Sequence, residues 1–237
     1  MIDITFDFRT DTPPGKDPDT YSPTLRNYHQ LLWSKRLPSG RPFHLDVTTP
    51  HAYLHHNSDL GEFWLSSDAV VPSFRWLTHI IDHIPAGEHE AFMHIGYTIG
   101  GMMLFPGNCI DGKMTINGAR GFHPKIRDRF DLTLECIRRH YVEEPNPLSA
   151  TLGRYADFFQ LFGDFEGFVT FFLLQDLVNQ ATSTIKFMMP FEDFAVSPLP
   201  VSLDEYLGYR QRATEFIESR NQRIATYIQA DGSPSDP

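Results

Sequence analysis

Cysteine is scarce. Only Cys109 and Cys136 occur in 237 residues, and neither sits in a C-x-x-C pair. That excludes a disulfide framework and a ribbon-type zinc site, and it suits a reducing compartment, so a cytoplasmic location is expected. Long apolar runs are missing too. The longest, such as "FFLL" within "GFVTFFLLQDLV", fall far short of the roughly 18 residues of a membrane span, so no membrane partner is expected. Bases are outnumbered: 20 Lys and Arg stand against 30 Asp and Glu, a formal charge of -10. Binding along a nucleic acid needs many Lys and Arg to displace phosphate counterions. No extended nucleic-acid surface is therefore expected, although a local basic pocket is compatible with the total. "MIDITFDFRTD" carries acids where a secretory signal carries bases, and it has no apolar h-region, which argues against export.

Motifs with a fixed chemistry are also wanting. There is no G-x-S-x-G elbow and no H-E-x-x-H pair, and the "DPD" fragment lacks the order of a calcium loop. "GNCIDGKM" (107–114) matches G-x-x-x-x-G-K, but Met114 stands where a phosphate loop has Ser or Thr. The following "MTIN" reads as a strand, so a hairpin turn is expected there. Cys109 has no catalytic signature around it and reads as a structural thiol. His79 and His83 in "HIIDH" stand i, i+4 with Asp82 between them. That is a possible half-site for a divalent metal which His55, His56, His89 or His94 would have to complete. No metal site and no cofactor are expected from so unspecific a pair.

What the chain has in quantity is phenylalanine, 20 residues of it, within 41% hydrophobic and 21% charged composition, so a large aromatic core is expected. The alternation of Ile2, Ile4, Phe6 and Phe8 predicts a half-buried strand, followed by a polar, proline-rich loop. Ser22-Pro23 offers an N-cap and first-turn proline for a helix carrying Leu25, Tyr28, Leu31 and Leu32. "EFWLSS" predicts a strand. "FRWLTHIIDHI" predicts a short helix with Trp76, Leu77, Ile80, Ile81 and Ile84 on one side. "AFMHIGYTIGGMMLFP" predicts one or two buried strands broken by Gly96, Gly100 and Gly101. A helix is expected from Pro124 to about Tyr141, further helices from Leu148 to Phe162 and across "FEGFVTFFLLQDLV", and a strand in "STIKFMMPF". Ser202 and Glu205 form a capping-box pattern with Val201 and Tyr206 as a staple, opening a last helix that runs to about Ile228. The fold class is α+β: one domain over residues 1–228, with strands mainly in the N-terminal half packed against a mainly helical C-terminal half, and a flexible tail over 229–237.

The stretch "TINGARGFHPKIRDRFDLTLECIRRHY" (115–141) concentrates the charge. Ile126, Phe130, Leu134, Ile137 and Tyr141 make a core stripe, while Arg127, Asp128, Asp131, Glu135, Arg138 and Arg139 fall opposite, as pairs three or four apart on a solvated face. Arg120, His123 and Arg129 lack evident partners in this stretch, and Lys125 adds to the local excess of bases. With Asn117 they are the candidate ligand-binding residues, in a loop before a helix start, where exposed amides favour anions. Asp7, Asp11, Asp164 and Glu166 are conceivable internal partners for the arginines. "IGGMMLFPGN", this same stretch, "FFLLQDLV" and "KFMMPFEDF" resemble an uncharacterised bacterial family, a domain of unknown function of about this length. The resemblance covers most of the chain and implies no activity, cofactor or catalytic residue.

The expected function is binding of a phosphate- or carboxylate-bearing small molecule, a nucleotide-processing enzyme being one form of it. A non-catalytic interaction module, docking through aromatic loops between residues 40 and 76, is the alternative, and a metal-dependent hydrolase the third.

Overall fold

A computed structural model of the chain describes residues 2–47, 54–72 and 74–231. All its strand pairs except one two-residue ribbon precede residue 107, and six helices follow residue 115, so the α+β division by halves holds.

The chain opens in turns, not in the expected strand. Asp3 turns its carboxylate onto Thr5 N at 2.9 Å and Asp7 turns its own onto Arg9 N at 2.9 Å, and such local bonds compete with a ladder. Phe8 is nevertheless fully buried, and Ile2, Ile4 and Phe6 pack against the core. The proline-rich segment holds a single helical turn, α1 (Pro18–Tyr21), before α2 (Pro23–Trp33). Ser22 caps α2 as expected, its hydroxyl accepting from Leu25 N at 3.1 Å.

A two-strand ribbon, β1 (Lys35–Arg36) with β2 (Pro42–Phe43), leads into a four-stranded antiparallel sheet in spatial order β3 (Asp46–Val47), β4 (Leu54–Ser58), β5 (Gly61–Ala69), β6 (Met102–Pro106). β4 pairs with Gly61–Leu65 of β5, whereas β6 pairs with Leu65–Ala69. Among the described residues, one edge of β5 from Ser66 to Ala69 is therefore left without a strand neighbour. That edge positions the site described below.

Between β5 and β6 lie α3 (Thr78–Ile81) and α4 (Ala86–Gly96), then a 3-10 turn at Ile99–Gly101. Trp76 is outside α3 and 56% exposed. The two strands expected in "AFMHIGYTIGGMMLFP" reduce to β6, and the glycines serve close packing of backbone. A Cβ on Gly100 would stand 2.5 Å from Ile217 O and 2.7 Å from Asn221 Oδ1, and Gly100 N donates to that Oδ1 at 2.7 Å.

After β6, "GNCIDGKM" turns the chain into a helix, not into a strand: Thr115 caps α5 (Ile116–Phe122) by accepting from Gly118 N at 3.3 Å. The single helix expected from Pro124 becomes a turn followed by α6 (Phe130–Tyr141). Arg127 and Asp128 adopt φ of 48° and 64°, which a helix cannot accommodate. α7 (Ser149–Arg154), α8 (Ala156–Gln160) and α9 (Phe165–Phe171) follow, α9 ending ahead of Leu173 at φ 55°. In "STIKFMMPF" only Thr184–Ile185 (β8) is strand, paired with β7 (Val178–Asn179).

The capping box opens α10 (Leu203–Asp231): Glu205 N donates to Ser202 Oγ at 3.2 Å and Val201 N to Glu205 Oε2 at 2.9 Å. Val201 itself is 69% exposed, so the staple is not formed. α10 includes 229–231, assigned above to the tail; 232–237 lie outside the described residues. Tyr206, Tyr209, Ala213, Phe216, Ile217, Arg220 and Ile224 are its buried stripe. Among the described residues no helix is long and apolar enough to cross a membrane.

Candidate functional site

The unpaired edge of β5 is closed by side chains instead of a strand. From α1, Asp19 Oδ2 accepts from Ala69 N at 3.1 Å. From α5, Asn117 Nδ2 donates to Ser67 O and to Ser66 Oγ, both at 3.2 Å. Arg120, one turn further on, is fully buried. It donates from Nη1 to Asp68 Oδ2 at 2.5 Å and to Ala69 O at 3.2 Å, from Nε to Thr133 Oγ1 at 3.2 Å, and from Nη2 to Asp128 O at 2.6 Å. Asp128 Oδ1 stands 3.2 Å from the same Nη1. The last carbonyl bond also holds the left-handed turn at Arg127–Asp128 in place.

Three acids thus gather around one guanidinium. Burial pushes the Asp68 carboxyl up to about 6, with Arg120 pulling it down and Asp128 and Asp17 pushing it up. Burial, then Asp68 and Asp17, push Asp19 well above the usual carboxylate range. Burial opposes the charge of Arg120, yet Asp68 and Asp128 raise its pKa, so the cation is kept. Asp68 keeps 21% of its side chain in contact with solvent. Asp19 Oδ1, Asn117 Oδ1 and the phenol of Tyr209, whose charged neighbours include Asp131, Arg129 and Arg120, are buried without a hydrogen-bond partner among the described residues.

Beside this cluster a cleft of about 590 Å³ opens under the loop from Arg9 to Pro18, lined among others by Lys16, Asp17, Arg75 and Tyr97. Burial, followed by the charges of Asp19 and Asp17, pushes the Tyr97 phenol up to about 12, so the floor of the cleft feels the carboxylate behind it. Arg9 is held by Asp7 and Glu90 and lies 5.4 Å over the Tyr97 ring. Arg75 is exposed and, among the described residues, has no hydrogen-bonded or ion-paired partner. Of three larger grooves, one has no Lys or Arg in its lining and the other two have their cations engaged. Arg41, in one, pairs with Asp59. Lys35, in the other, places its ammonium 4.5–4.8 Å above the rings of Trp33, Phe171 and Tyr227.

The structure disperses the residues singled out from sequence. Arg120 and Asn117 meet at the β5 edge, on a helix instead of in a loop. Arg129 is sealed elsewhere: it donates from Nη2 to Asp131 Oδ2 at 2.5 Å and from Nε to Asp131 Oδ1 at 3.1 Å, with the two side chains 1% and 0% exposed. Asp131, expected on the solvated face in a pair with Arg127, is therefore core; so is Glu135, although its pairs with Arg138 and Arg139 form as expected. His123 and Lys125 lie at the surface, the His123 pKa lowered by partial burial and by Lys125. The acids considered as partners serve other ends. Asp7 holds Arg9, Asp11 accepts from Ser22 Oγ and Thr24 N, and Asp164 caps α9.

α3 is too short to carry both His79 and His83, which are exposed with Asp82. Among the described residues no three His, Cys, Asp or Glu side chains gather closely enough to hold a metal ion. Of the aromatics proposed for docking, Phe43, Phe63 and Phe74 are buried.

A buried dyad, His29 Nε2 to Ser67 Oγ at 3.0 Å, suggests a nucleophile only superficially. Trp33 Nε1 donates to His29 Nδ1 at 3.0 Å, which puts the imidazole proton on Nε2. That nitrogen donates to Ser67 and cannot take its proton. Burial and Arg220 push His29 down to about 3, so it stays neutral.

Asp19, Asp68, Arg75 and Tyr97 escaped the sequence reading, since they lie far apart in the chain. The one available signal was "DPD", whose second acid opens a helix against an uncovered strand edge. The model of a family of unknown function, DUF6994, matches residues 2–224, and the chain belongs to that family. No curated protein and no solved structure matches it.

Proposed function

We propose, for this member of a family of unknown function, that it binds a small molecule bearing a phosphate or carboxylate group, in the cleft beneath Arg9–Pro18. The observation that carries this reading is Arg75: a cation without a partner among the described residues, in a cleft that also holds Lys16 and Arg9, on a chain of net charge -10. An anion there gains charge-assisted hydrogen bonds that the protein does not itself satisfy. Arg120 and Arg129, in contrast, have their donors committed inside the fold. The Tyr97 ring gives the floor an apolar face, so nucleotides belong among the ligands to be tried. A reducing, cytoplasmic setting goes with this reading, supported by two free thiols, Cys109 exposed and Cys136 buried with its thiol pushed up to about 12.

The test is a thermal-shift screen with inorganic phosphate, nucleoside monophosphates, sugar phosphates and dicarboxylates. A ligand at 100 times its Kd adds about 2.7 kcal/mol, and Arg75→Ala is expected to remove that gain while leaving the unliganded midpoint in place. If no compound shifts the wild type, or the shift survives Arg75→Ala, the reading fails.

A further inference from the structure

The groove of about 780 Å³ lined by β1, α9 and the end of α10 shares no residue with the cleft beneath Arg9–Pro18. We propose that this groove binds a small quaternary ammonium compound, whose methylated head enters the ring cage of Trp33, Phe171 and Tyr227, and that Lys35 is the built-in occupant which only such a head displaces. The inference does not rest on the cleft reading.

The cage is chemically explicit. Lys35 Nζ stands 4.8 Å from the ring centroid of Trp33, 4.7 Å from that of Phe171 and 4.5 Å from that of Tyr227. All three lie within the ~6 Å over which a ring face attracts a cation. The rings come from three helices, α2, α9 and α10, so the tertiary fold brings them to one point. Trp33 is fixed in advance: it is fully buried, its indole N–H donates to His29 Nδ1 at 3.0 Å, and its ring lies 5.3 Å from that of Phe172. Phe171 and Tyr227 also line the groove, so the cage opens onto it. The same lining carries the exposed carboxylates of Asp164 and Glu166, while Arg36 is turned to Gly40 O at 2.7 Å. A cation therefore finds both ring faces and counter-charge there.

What the cage takes is indicated by what it holds, a cationic nitrogen on an aliphatic stem. A ligand has to better that occupant. Lys35 is tethered, so its ammonium meets the rings at an effective concentration on the order of millimolar or above. A free primary amine of equal intrinsic affinity loses this competition at lower concentration. A trimethylammonium head does not, because it has no N–H groups to strip of water and presents methyl groups to the ring faces, whereas a lysine ammonium is strongly hydrated. Lys35 thus rejects the wrong cations by competing with them. Its side chain is partly exposed on a two-residue strand, and its flexible stem releases the charge into a groove that holds Asp164 and Glu166. No bond is made or broken.

Calorimetry on the full chain at constant ionic strength, with tetramethylammonium, choline and ethanolamine as chlorides, tests this. The wild type is expected to bind the two quaternary ions and to give no heat with ethanolamine. In Lys35→Ala the quaternary ions are expected to bind about tenfold more tightly, and ethanolamine to bind as well. Adding Tyr227→Leu to that variant is expected to lower choline affinity about tenfold. The neutral analogue of choline, with carbon in place of the charged nitrogen, is expected not to bind. If the wild type takes neither quaternary ion, whatever Lys35→Ala does, the cage is a clamp for its own lysine and the proposal is overturned. Ethanolamine binding the wild type as tightly as choline overturns it too, as does equal binding of the neutral analogue. Sedimentation with phosphatidylcholine vesicles, without heat from the free ions, places the ligand in a membrane and overturns it likewise.

Discussion

Two buried arginines only nine residues apart have opposite surroundings. Arg129 has one carboxylate, Asp131, in a two-pronged pair closed to solvent, and Asp131 spends its remaining capacity on Met188 N at 2.8 Å. Charge is balanced and nothing is left over. Arg120 has Asp68 and Asp128 against it and Asp19 near by, more negative charge than it can cancel, and Asp68 still touches solvent. The difference separates a clamp from a candidate site. The sealed pair leaves no carboxylate uncommitted, whereas the cluster at Arg120 has more acids than its one cation can pair with, and perturbed carboxyls of that kind mark a candidate site.

The comparison is broken most severely at the sealed pair. Asp131→Ala leaves Arg129 buried without a counter-ion and Met188 N without an acceptor, so a loss of about 3–5 kcal/mol is expected in urea unfolding. The loss should be nearly constant from pH 5 to 8. A loss below about 1 kcal/mol would mean that Arg129 finds another partner. Arg120→Ala is expected to cost less and to cost less still in acid, because Asp68 can be neutralised by a proton once its cation is gone. Equal losses at pH 5 and pH 8 would erase the distinction between the two arginines.

A smaller effect concerns pH itself. Asp68 and Asp19 have folded-state pKa values raised above the ordinary carboxylate value of 3.8. Their contribution to stability is therefore fully present below about pH 4; the part due to Asp68 is lost as pH rises through about 6, and the part due to Asp19 as pH rises through its own raised value. Asp19→Asn, which mimics the neutral acid, should be at least as stable as the wild type at pH 8, and its stability should fall less between pH 4 and pH 8. A mutant markedly less stable at pH 8 would show that Asp19 is ionised in the native state. Smallest of all, Arg127→Gly relieves a left-handed residue and is expected to gain up to about 1 kcal/mol, since Arg127, unlike Arg129, is exposed and has no ion-pair partner among the described residues.

Elements announced by local chemistry were legible in the sequence. Ser22-Pro23 capped its helix, "SLDE" opened the last one, and "EFWLSS" lay in a strand. What failed depended on distant partners. The alternation from Ile2 to Phe8 is satisfied by turns against the core because Asp3 and Asp7 bend the backbone onto their own carboxylates. The glycines of "YTIGG" read as breaks in a strand, yet Gly100 is small because α10 passes against it. The helix expected from Pro124 is cut at Arg127–Asp128 by a carbonyl bond from Arg120. At the candidate site, Arg120 and Asn117 stood out as unpartnered, but Asp19 and Asp68 could be joined to them only by the offset between β4 and β6 on the two sides of β5.

Arg220 carries a different lesson. It lies in the core with no ion-pair partner among the described residues, donating to Gly100 O at 2.9 Å, Met102 O at 2.7 Å and Phe172 O at 3.0 Å, and burial pushes its pKa down to about 9 although Asp176 opposes the shift. Those carbonyls belong to the entrance of the central sheet and the exit of α9, segments made long before residue 220 during synthesis. Until that guanidinium arrives they have unanswered acceptors, and Gly100 faces an empty groove. A nascent chain halted short of the last helix thus holds an unfinished interior, and a ribosome-bound series of increasing length should acquire protease resistance abruptly once Arg220 has emerged, not gradually as each helix appears.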